Sequence, residues 1–314
     1  TGRRMLIVQL AAITGLVSYC GVFFGESFYW LFIIMALMSF FWSASLPLIE
    51  ATTLSHLGES TARYGSIRSW GSLGFICAVI GMGYLLDTTE IISLLWWVLG
   101  FKLGIVIFSW RIPEAEVTSH VTDSLSVKQI LKHPGVLAFF IACLLMAFAH
   151  GPYYTFYSIY LVEYGYSKGI IGLLWAVGVI CEIGIFFLIP RLMNWFSLKQ
   201  VLAFSFCCAV IRFLMIGWGV EWPAAILLAQ VLHAATYGAH HVAAMMVIHH
   251  FFRGRHQAKG QTFYTSFTFG IGGALGGVFS GYAWEWMGPE FTFSISALAA
   301  FLGLGLIIWK VNIK

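Results

Sequence analysis

The chain has 314 residues, of which 60% are hydrophobic and only 10% are charged, and its mean hydropathy is +0.87. A soluble domain carries about a quarter charged residues, so this composition predicts a chain surrounded mostly by lipid. The net charge of +4 does not indicate nucleic-acid binding, because the basic residues occupy short segments between apolar runs. All six cysteines fall within apolar segments without CxxC spacing, which predicts no disulfide, metal site or cofactor.

Apolar runs long enough to cross a membrane as helices, about 20 residues each, follow one another along the chain. There are ten of them, at residues 5–24, 28–54, 64–86, 91–110, 135–162, 169–190, 199–219, 223–250, 261–284 and 290–309. They are continuously apolar, whereas strands of membrane barrels alternate over about ten residues. The sequence therefore predicts an all-α membrane protein.

Lysine and arginine are distributed unevenly between the two sets of loops. Fourteen of the 17 lie on one side of the predicted membrane, counting Arg68 near that end of its span, Lys168 alone lies on the other, and Lys102 and Arg212 lie deep inside spans. Because basic residues concentrate in cytoplasmic loops, both ends of the chain are predicted to be cytoplasmic.

One connection, residues 111–134, is long, polar and bounded by prolines. It is predicted to be a cytoplasmic linker between two helical bundles. The first bundle would comprise residues 1–110 with four spans, and the second residues 135–314 with six.

Glycines in the ninth span form three pairs with a spacing of four residues: Gly272/Gly276, Gly273/Gly277 and Gly277/Gly281. Small residues at this spacing allow two membrane helices to approach closely. Such pairs are candidates for helix contacts, and the alternative is that glycine is simply common in membrane helices.

Several motifs resemble the major facilitator superfamily of transporters. Before the linker they are Pro47-Leu-Ile-Glu50-Ala51 and Tyr64-Gly65-Ser-Ile-Arg68-Ser-Trp70-Gly71-Ser72. After it they are His150-Gly-Pro-Tyr-Tyr154, Gly165-Tyr166-Ser167, Trp175-Ala-Val-Gly-Val-Ile-Cys-Glu182, Val210-Ile-Arg212 and Leu232-His233. These segments are similar to the phenylpropionate-permease group and, more distantly, to the lactose permeases.

The resemblance implies a major facilitator fold with ten of an expected twelve helices. Thr1-Gly2-Arg3-Arg4 resembles the end of the family's loop between its second and third helices. The first bundle would then correspond to helices 3–6 of the family. The resemblance also implies a monomeric secondary transporter of a bacterial inner membrane, with proton-coupled uptake of a small molecule.

Charged residues inside predicted spans are the first candidates for a transport site: Glu50, Arg68, Lys102, Glu182 and Arg212. A charge at the centre of a membrane helix costs about 2.5–3.5 kcal/mol, so it usually faces the bundle interior and marks a pathway. Together these five leave one surplus positive charge, which a carboxylate ligand would balance. A small organic anion is therefore the predicted substrate. The resemblance implies an aromatic carboxylate, and a sugar or nucleoside is the alternative.

Glu50 and Arg68 are predicted to bind substrate. In the lactose permeases a glutamate and an arginine at this separation form the charge pair at the substrate. The alternative is that Arg68 only marks the cytoplasmic end of its helix. Lys102 is a further candidate for substrate binding, although its long side chain could instead reach a membrane interface.

Glu182, Arg212 and His233 are predicted to couple transport to protons. The lactose permeases have a glutamate and an arginine on the corresponding helices, and His233 aligns with a histidine used in coupling. Thr236 stands where those proteins have a carboxylate, which leaves Glu182 as the predicted proton carrier. A purely structural pair of Glu182 with Arg212 is the alternative.

His150 precedes Gly151 and Pro152, and proline removes a helix hydrogen bond, so this span is predicted to kink here. Broken helices with nearby polar groups are where transporters bind substrate. His150 and the tyrosines that follow it, Tyr153, Tyr154 and Tyr157, are therefore predicted to line an aromatic-accepting cavity, and plain packing is the alternative for each tyrosine.

A seven-residue spacing places His233 and His240 on one face of an α-helix, together with Tyr237. Histidines are common metal ligands, so a histidine-rich membrane enzyme is one alternative function, and a sensor or scaffold is another. His240 and His249 lie on opposite faces of their helix, which disfavours a metal cluster. The chain is predicted not to be an enzyme.

Overall fold

The computed structural model describes residues 3–43, 45–57, 64–114, 130, 133–252 and 256–311. The helices are α1 Arg4–Cys20, α2 Phe28–Ser43, α3 Ser45–Leu57, α4 Tyr64–Thr88, α5 Ser93–Ser109, α6 Pro134–Ala149, α7 Gly151–Glu163, α8 Lys168–Leu192, α9 Leu198–Trp218, α10 Pro223–His233, α11 His240–Phe251, α12 His256–Tyr264 and α13 Gly273–Lys310. A π-helical segment, π1 (Ala234–Ala239), joins α10 to α11, and a second, π2 (Thr265–Gly272), joins α12 to α13. These parts of the chain contain no strand, which confirms the all-α prediction.

Within the described residues, eight helical segments are long and apolar enough to cross a membrane, against ten predicted spans. The predicted span 91–110 corresponds to α5, which has only 17 residues. The last two predicted spans fall within one segment of 52 residues, Lys259–Lys310. At 1.5 Å per residue this segment would be roughly 80 Å long, more than twice the thickness of the hydrocarbon core. Gly288, with φ 80° and ψ 172°, interrupts it before Pro289.

Large apolar side chains are exposed along the helices, as lipid contact requires. Phe187, Trp286 and Trp309 are 76%, 87% and 80% exposed. In water such exposure would forfeit the favourable burial of a large ring. Together with the eight apolar segments, this surface identifies an integral membrane protein.

The chain forms two compact units. The first unit comprises residues 1–75 and 88–120, and the second comprises residues 76–87 and 121–314. The second half of α4 therefore groups with the helices that follow the predicted linker. Its Asp87 carboxylate accepts hydrogen bonds from the backbone N–H of Lys168 (2.7 Å) and Gly169 (2.9 Å), at the N-terminus of α8. Most of the predicted linker, 111–134, lies outside the described residues.

Only one of the three predicted glycine pairs lies at a tight helix contact. A side chain at Gly272 would meet the backbone of Leu144, and one at Gly276 would meet the carbonyl oxygen of Phe148. By contrast, Gly273 and Gly281 have no other heavy atom within 4 Å of where a Cβ would stand. The Gly272/Gly276 pair therefore brings π2 and α13 against α6. The two contact points on α6, Leu144 and Phe148, lie one turn apart.

Candidate functional site

In the first unit, Glu50 on α3 and Arg68 on α4 lie together as the sequence predicts. Arg68 Nε is 3.5 Å from Glu50 Oε1. The pair is open, because the arginine side chain is 53% exposed and the glutamate side chain 37%. An exposed ion pair contributes little to stability, about 0–1 kcal/mol, so its position on two apolar helices needs another explanation.

Lys102, also in the first unit, lies beside aromatic rings. Its Nζ is 5.0 Å from the ring centroid of Trp42 and 5.7 Å from that of Tyr19. Tyr19 is itself fixed, because its hydroxyl donates a hydrogen bond of 2.9 Å to the carbonyl oxygen of Leu95. Cation–π contacts of this kind hold the ammonium inside the unit.

In the second unit, Arg212 on α9 is completely buried at the centre of a polar cluster. Its Nε donates to the carbonyl oxygen of Ala229 (2.9 Å). Its Nη1 donates to His150 Nε2 (3.2 Å) and to Thr236 Oγ1 (3.4 Å). Its guanidinium carbon lies 4.0 Å from the ring centroid of Tyr153. These four neighbours are all uncharged acceptors or rings.

The hydrogen bonds of His150 assign its tautomer. Arginine can only donate, so Nε2 of His150 must accept from Arg212. Nδ1 therefore carries the proton and donates to the carbonyl oxygen of Met146 (2.8 Å). Because protein groups occupy both ring nitrogens, His150 orients Arg212 in this arrangement and has no ring nitrogen left for a ligand.

The helix is interrupted at His150, as the Gly151-Pro152 motif predicts. Helix α6 ends at Ala149 and α7 begins at Gly151. Pro152 has no N–H to donate to the carbonyl of Phe148, the oxygen that faces Gly276. The kink directs the side chain of His150 toward Arg212.

Tyr153 and Tyr154, predicted as neighbours in one binding site, have different environments. Tyr153 is 1% exposed, and its hydroxyl donates to Gln230 Oε1 (3.0 Å). Tyr154 is 54% exposed, and its ring lies parallel to that of Trp175, with centroids 6.3 Å apart. Tyr153 therefore supports Arg212 from behind, whereas Tyr154 presents an aromatic surface.

Glu182 on α8 belongs to the same cluster through His233. Its Oε2 lies 4.0 Å from His233 Nε2, and its side chain is 17% exposed. Glycine gives it room, because a Cβ at Gly238 would stand 3.1 Å from Glu182 Cγ. The His233 ring lies 6.1 Å from the His150 ring, centroid to centroid. The three predicted coupling residues therefore form one chain of contacts, from Glu182 through His233 and His150 to Arg212.

The prediction that His233, Tyr237 and His240 share a face is wrong, because π1 changes the helical register. A π-helical turn contains one extra residue. As a result the residue that follows Tyr237 on this face is His241, whose ring is parallel to the tyrosine ring within 8°. His233 and Tyr237 stack at 15°, with centroids 5.4 Å apart. His240 faces another way and packs edge-on against Phe206.

Sequence reasoning missed Gln230 as a site residue. It is fully buried, and a glutamine within an apolar span is the signal that could have identified it. Two buried donors in this cluster, Gln230 Nε2 and Arg212 Nη2, have no hydrogen-bond partner in the described part of the chain. Unsatisfied buried donors are rare, and both of these could donate a hydrogen bond to an acceptor on a ligand.

No group of three or more His, Cys, Asp or Glu side chains is arranged to hold a metal ion within residues that the structure describes. The histidine-rich enzyme hypothesis therefore gains no support from the positions of His233, His240 and His241.

Comparison with known sequences matches residues 1–295 to the model of the MFS_1 like family. A protein of Escherichia coli (strain K12) named "Probable 3-phenylpropionic acid transporter" is 28% identical over 302 residues, covering 95% of this chain and 79% of that protein. A Bacillus subtilis (strain 168) protein, "Uncharacterized transporter YwbF", is 24% identical over 98% of this chain and 77% of its own length.

Comparison with solved structures finds a similar fold in a mutant of the nucleoside transporter NupG. The TM-score is 0.84 with 15% sequence identity, over 98% of this chain and 84% of that chain. At this identity the similarity concerns the fold alone.

Proposed function

Because the chain belongs to the MFS_1 like family of major facilitator transporters, we propose that it is a secondary active transporter for proton-coupled uptake of a small organic anion. An aromatic carboxylate similar to phenylpropionate fits best. The relatives and the fold are those of transporters, which are not enzymes.

The buried guanidinium of Arg212 is the observation that carries this proposal. Burial of a charge is costly unless a partner compensates it. The groups that accept hydrogen bonds from Arg212 are neutral, and its Nη2 has no hydrogen-bond partner within the described residues. An anionic group entering the second unit would be attracted by this charge. Arg68 offers a second, open guanidinium in the first unit.

The aromatic character of the substrate is supported by the exposed ring of Tyr154, by its neighbour Trp175 and by the name of the Escherichia coli relative. A nucleoside or sugar symporter is the alternative, and the structural similarity to a nucleoside transporter favours the nucleoside. In either case Glu50 and Arg68 would grip the polar end of the substrate, since a guanidinium binds carboxylates and hydroxyls with two prongs.

Proton coupling is assigned to Glu182, with Arg212 and His233 controlling its affinity for the proton. The Glu182 carboxylate lies 4.0 Å from His233 Nε2, which places an acidic side chain at one end of the His233–His150–Arg212 chain. His233 lies between the carboxylate and the rest of the cluster, so it could relay the proton or orient the carboxylate.

The proposed topology has ten crossings with both ends of the chain in the cytoplasm. Gly288 would be the turn between the last two crossings, and α5 would be a short crossing. Thr1→Cys and Ser119→Cys, each introduced into a cysteine-free variant, should react with a membrane-impermeant reagent only after the cells are opened. Labelling of either cysteine from outside intact cells would reject this topology.

Uptake of labelled substrates by cells expressing the full-length protein tests the function directly. We expect 3-phenylpropionate to accumulate, and a protonophore to abolish accumulation. Uptake of uridine or maltose without uptake of the aromatic acid would establish the alternative. Accumulation that persists in the presence of the protonophore would reject proton coupling.

A further inference from the structure

A cavity of about 190 Å³ lies in the second unit, between the two π-helical segments and the α6–α7 interruption. It is only partly enclosed. His240, His241, Tyr264 and Thr268 contribute polar side chains to its lining, and Tyr154 and Phe269 contribute aromatic surfaces. Of these six, only Tyr154 was predicted to line a binding site.

Four polar side chains of this cavity have side-chain atoms that lack hydrogen-bond partners in the described part of the chain, although His150, Thr155 and Thr236, which also line it, are hydrogen-bonded. Both ring nitrogens of His240, Nδ1 of His241, the Tyr264 hydroxyl and the Thr268 hydroxyl have no partner within the described residues. His240, Tyr264 and Thr268 are 4%, 0% and 2% exposed. Buried polar side chains are nearly always satisfied, because an unmade hydrogen bond is costly. Several such groups around one cavity indicate a polar occupant.

The two π-helical segments explain how these groups come together. The register change in π1 places His240 and His241 beside the cavity, whereas His233 stays with Glu182. Thr268 is part of π2, and Tyr264 immediately precedes it. Single π-helical turns occur most often at functional sites, where they re-aim side chains at some cost in helix geometry.

The size and walls of the cavity suit a flat ring. An apolar cavity of roughly 150 Å³ is large enough for benzene, so about 190 Å³ admits a six-membered ring with a substituent. Tyr237 and His241 present parallel rings with centroids 6.1 Å apart, and Phe269 lies 6.4 Å from Tyr237. An unsubstituted phenyl ring would fill the volume but leave the donors and acceptors unpaired.

We propose that this cavity binds the ring of the transported molecule, and that it selects a ring with hydrogen-bonding groups on its edge, such as a hydroxyphenyl ring or a nucleobase. This inference rests on the proposed uptake of an aromatic substrate and specifies its ring. A site built to pair with a substrate hydroxyl discriminates strongly against the analogue without it.

The test is calorimetric binding to the purified full-length protein, which does not require transport. The ligands are 3-(3-hydroxyphenyl)propionate, 3-phenylpropionate and uridine. We expect the hydroxylated acid to bind about tenfold more tightly than 3-phenylpropionate. Tyr264→Phe and Thr268→Val should each reduce this preference about fivefold, because each removes one hydroxyl and keeps the shape.

Tyr160→Phe and Thr292→Val are matched controls. Each removes a buried hydroxyl that already donates to a backbone carbonyl, of Gly217 and Gly288 respectively, and neither residue lines the cavity. Both controls should leave the preference unchanged. They also show whether loss of a buried hydroxyl alone weakens binding through instability.

The outcomes separate this inference from the proposed function. Binding of uridine but of neither acid, weakened by Tyr264→Phe and Thr268→Val, would support the ring site and overturn the anionic substrate. Equal affinity for the two acids would overturn the ring site, even if both acids are transported. Unchanged preference in the two variants, or no binding of any of the three ligands, would overturn it as well.

Discussion

The two units present their intramembrane charges in opposite ways. In the first unit Arg68 and Glu50 form an ion pair whose side chains are 53% and 37% exposed. In the second unit Arg212 is fully buried, and its hydrogen bonds go to His150, Thr236 and a backbone carbonyl. The first arrangement leaves a guanidinium available to a ligand, whereas the second fixes a positive charge within a network.

This difference predicts that substitution of the two arginines affects stability and transport differently. An open pair can exchange its partner for a substrate with little change in folding free energy. A buried arginine satisfies acceptors that no water can reach, so its loss affects stability and transport together. The largest expected effects test this contrast directly.

Arg212→Ala should abolish uptake and also lower the melting temperature. It removes the guanidinium donor from the carbonyl of Ala229 and leaves His150 Nε2 only the Thr236 hydroxyl at 3.4 Å, and an unsatisfied buried group costs about 1–3 kcal/mol. Arg212→Lys keeps the charge but cannot reproduce the planar arrangement of guanidinium donors, and it should still reduce uptake by about tenfold or more. Arg191→Ala, at the exposed end of α8, is the control and should behave as wild type. Normal uptake by Arg212→Lys would show that only the charge matters.

Arg68→Lys should abolish uptake while expression and melting temperature stay at wild-type values. An ammonium cannot grip a carboxylate or two hydroxyls with two prongs. The pair is exposed, so its contribution to stability is only about 0–1 kcal/mol. Uptake and thermal stability measured on the same preparation check both parts. Near-normal uptake would exclude Arg68 from substrate binding.

The sequence predicted helices more successfully than side-chain directions. Nine of the ten predicted apolar spans correspond to the long apolar segments of the described residues, and the kink at His150 follows from Pro152. The π-helical segments have no comparable signal, because one extra residue per turn changes no residue type. Consequently His240 was placed on the face that His241 occupies, and the cavity beside it was not foreseen.

Charged residues in apolar runs were all predicted as site residues, whereas one buried neutral residue, Gln230, was missed. Glu50 and Arg68 meet at 3.5 Å, as spacing and family resemblance indicate. Gln230 carries no charge and was not predicted, yet its Oε1 accepts a hydrogen bond from the Tyr153 hydroxyl. Burial also separates Tyr153 from Tyr154, and adjacent tyrosines in a sequence cannot reveal which one faces a cavity.

Glu182→Gln should lose accumulation driven by a pH gradient but keep exchange of labelled for unlabelled substrate. During exchange the transporter reorients with substrate bound in both directions, so no proton has to be released. Accumulation requires a group that binds the proton on one side and releases it on the other. Glu163→Gln, at the exposed end of α7, is the matched control and should keep both activities. Accumulation by Glu182→Gln would make Glu182 structural and would shift the search for the proton site to His233, His150 or Glu50.

Lys102→Met is expected to have the smallest effect, about a twofold decrease in uptake. The ammonium is held near Trp42 and Tyr19 by cation–π contacts, which contribute about 0.5–1 kcal/mol at partly exposed sites. Methionine keeps the length of the stem and still packs against both rings. If Lys102 bound the substrate carboxylate instead, its removal would resemble Arg68→Lys and uptake would fall by about tenfold or more. Measuring the KM for the anionic substrate and for uridine in the same variant separates the two readings. A lost carboxylate contact raises the KM for the anion alone, whereas loss of an anchor changes both equally.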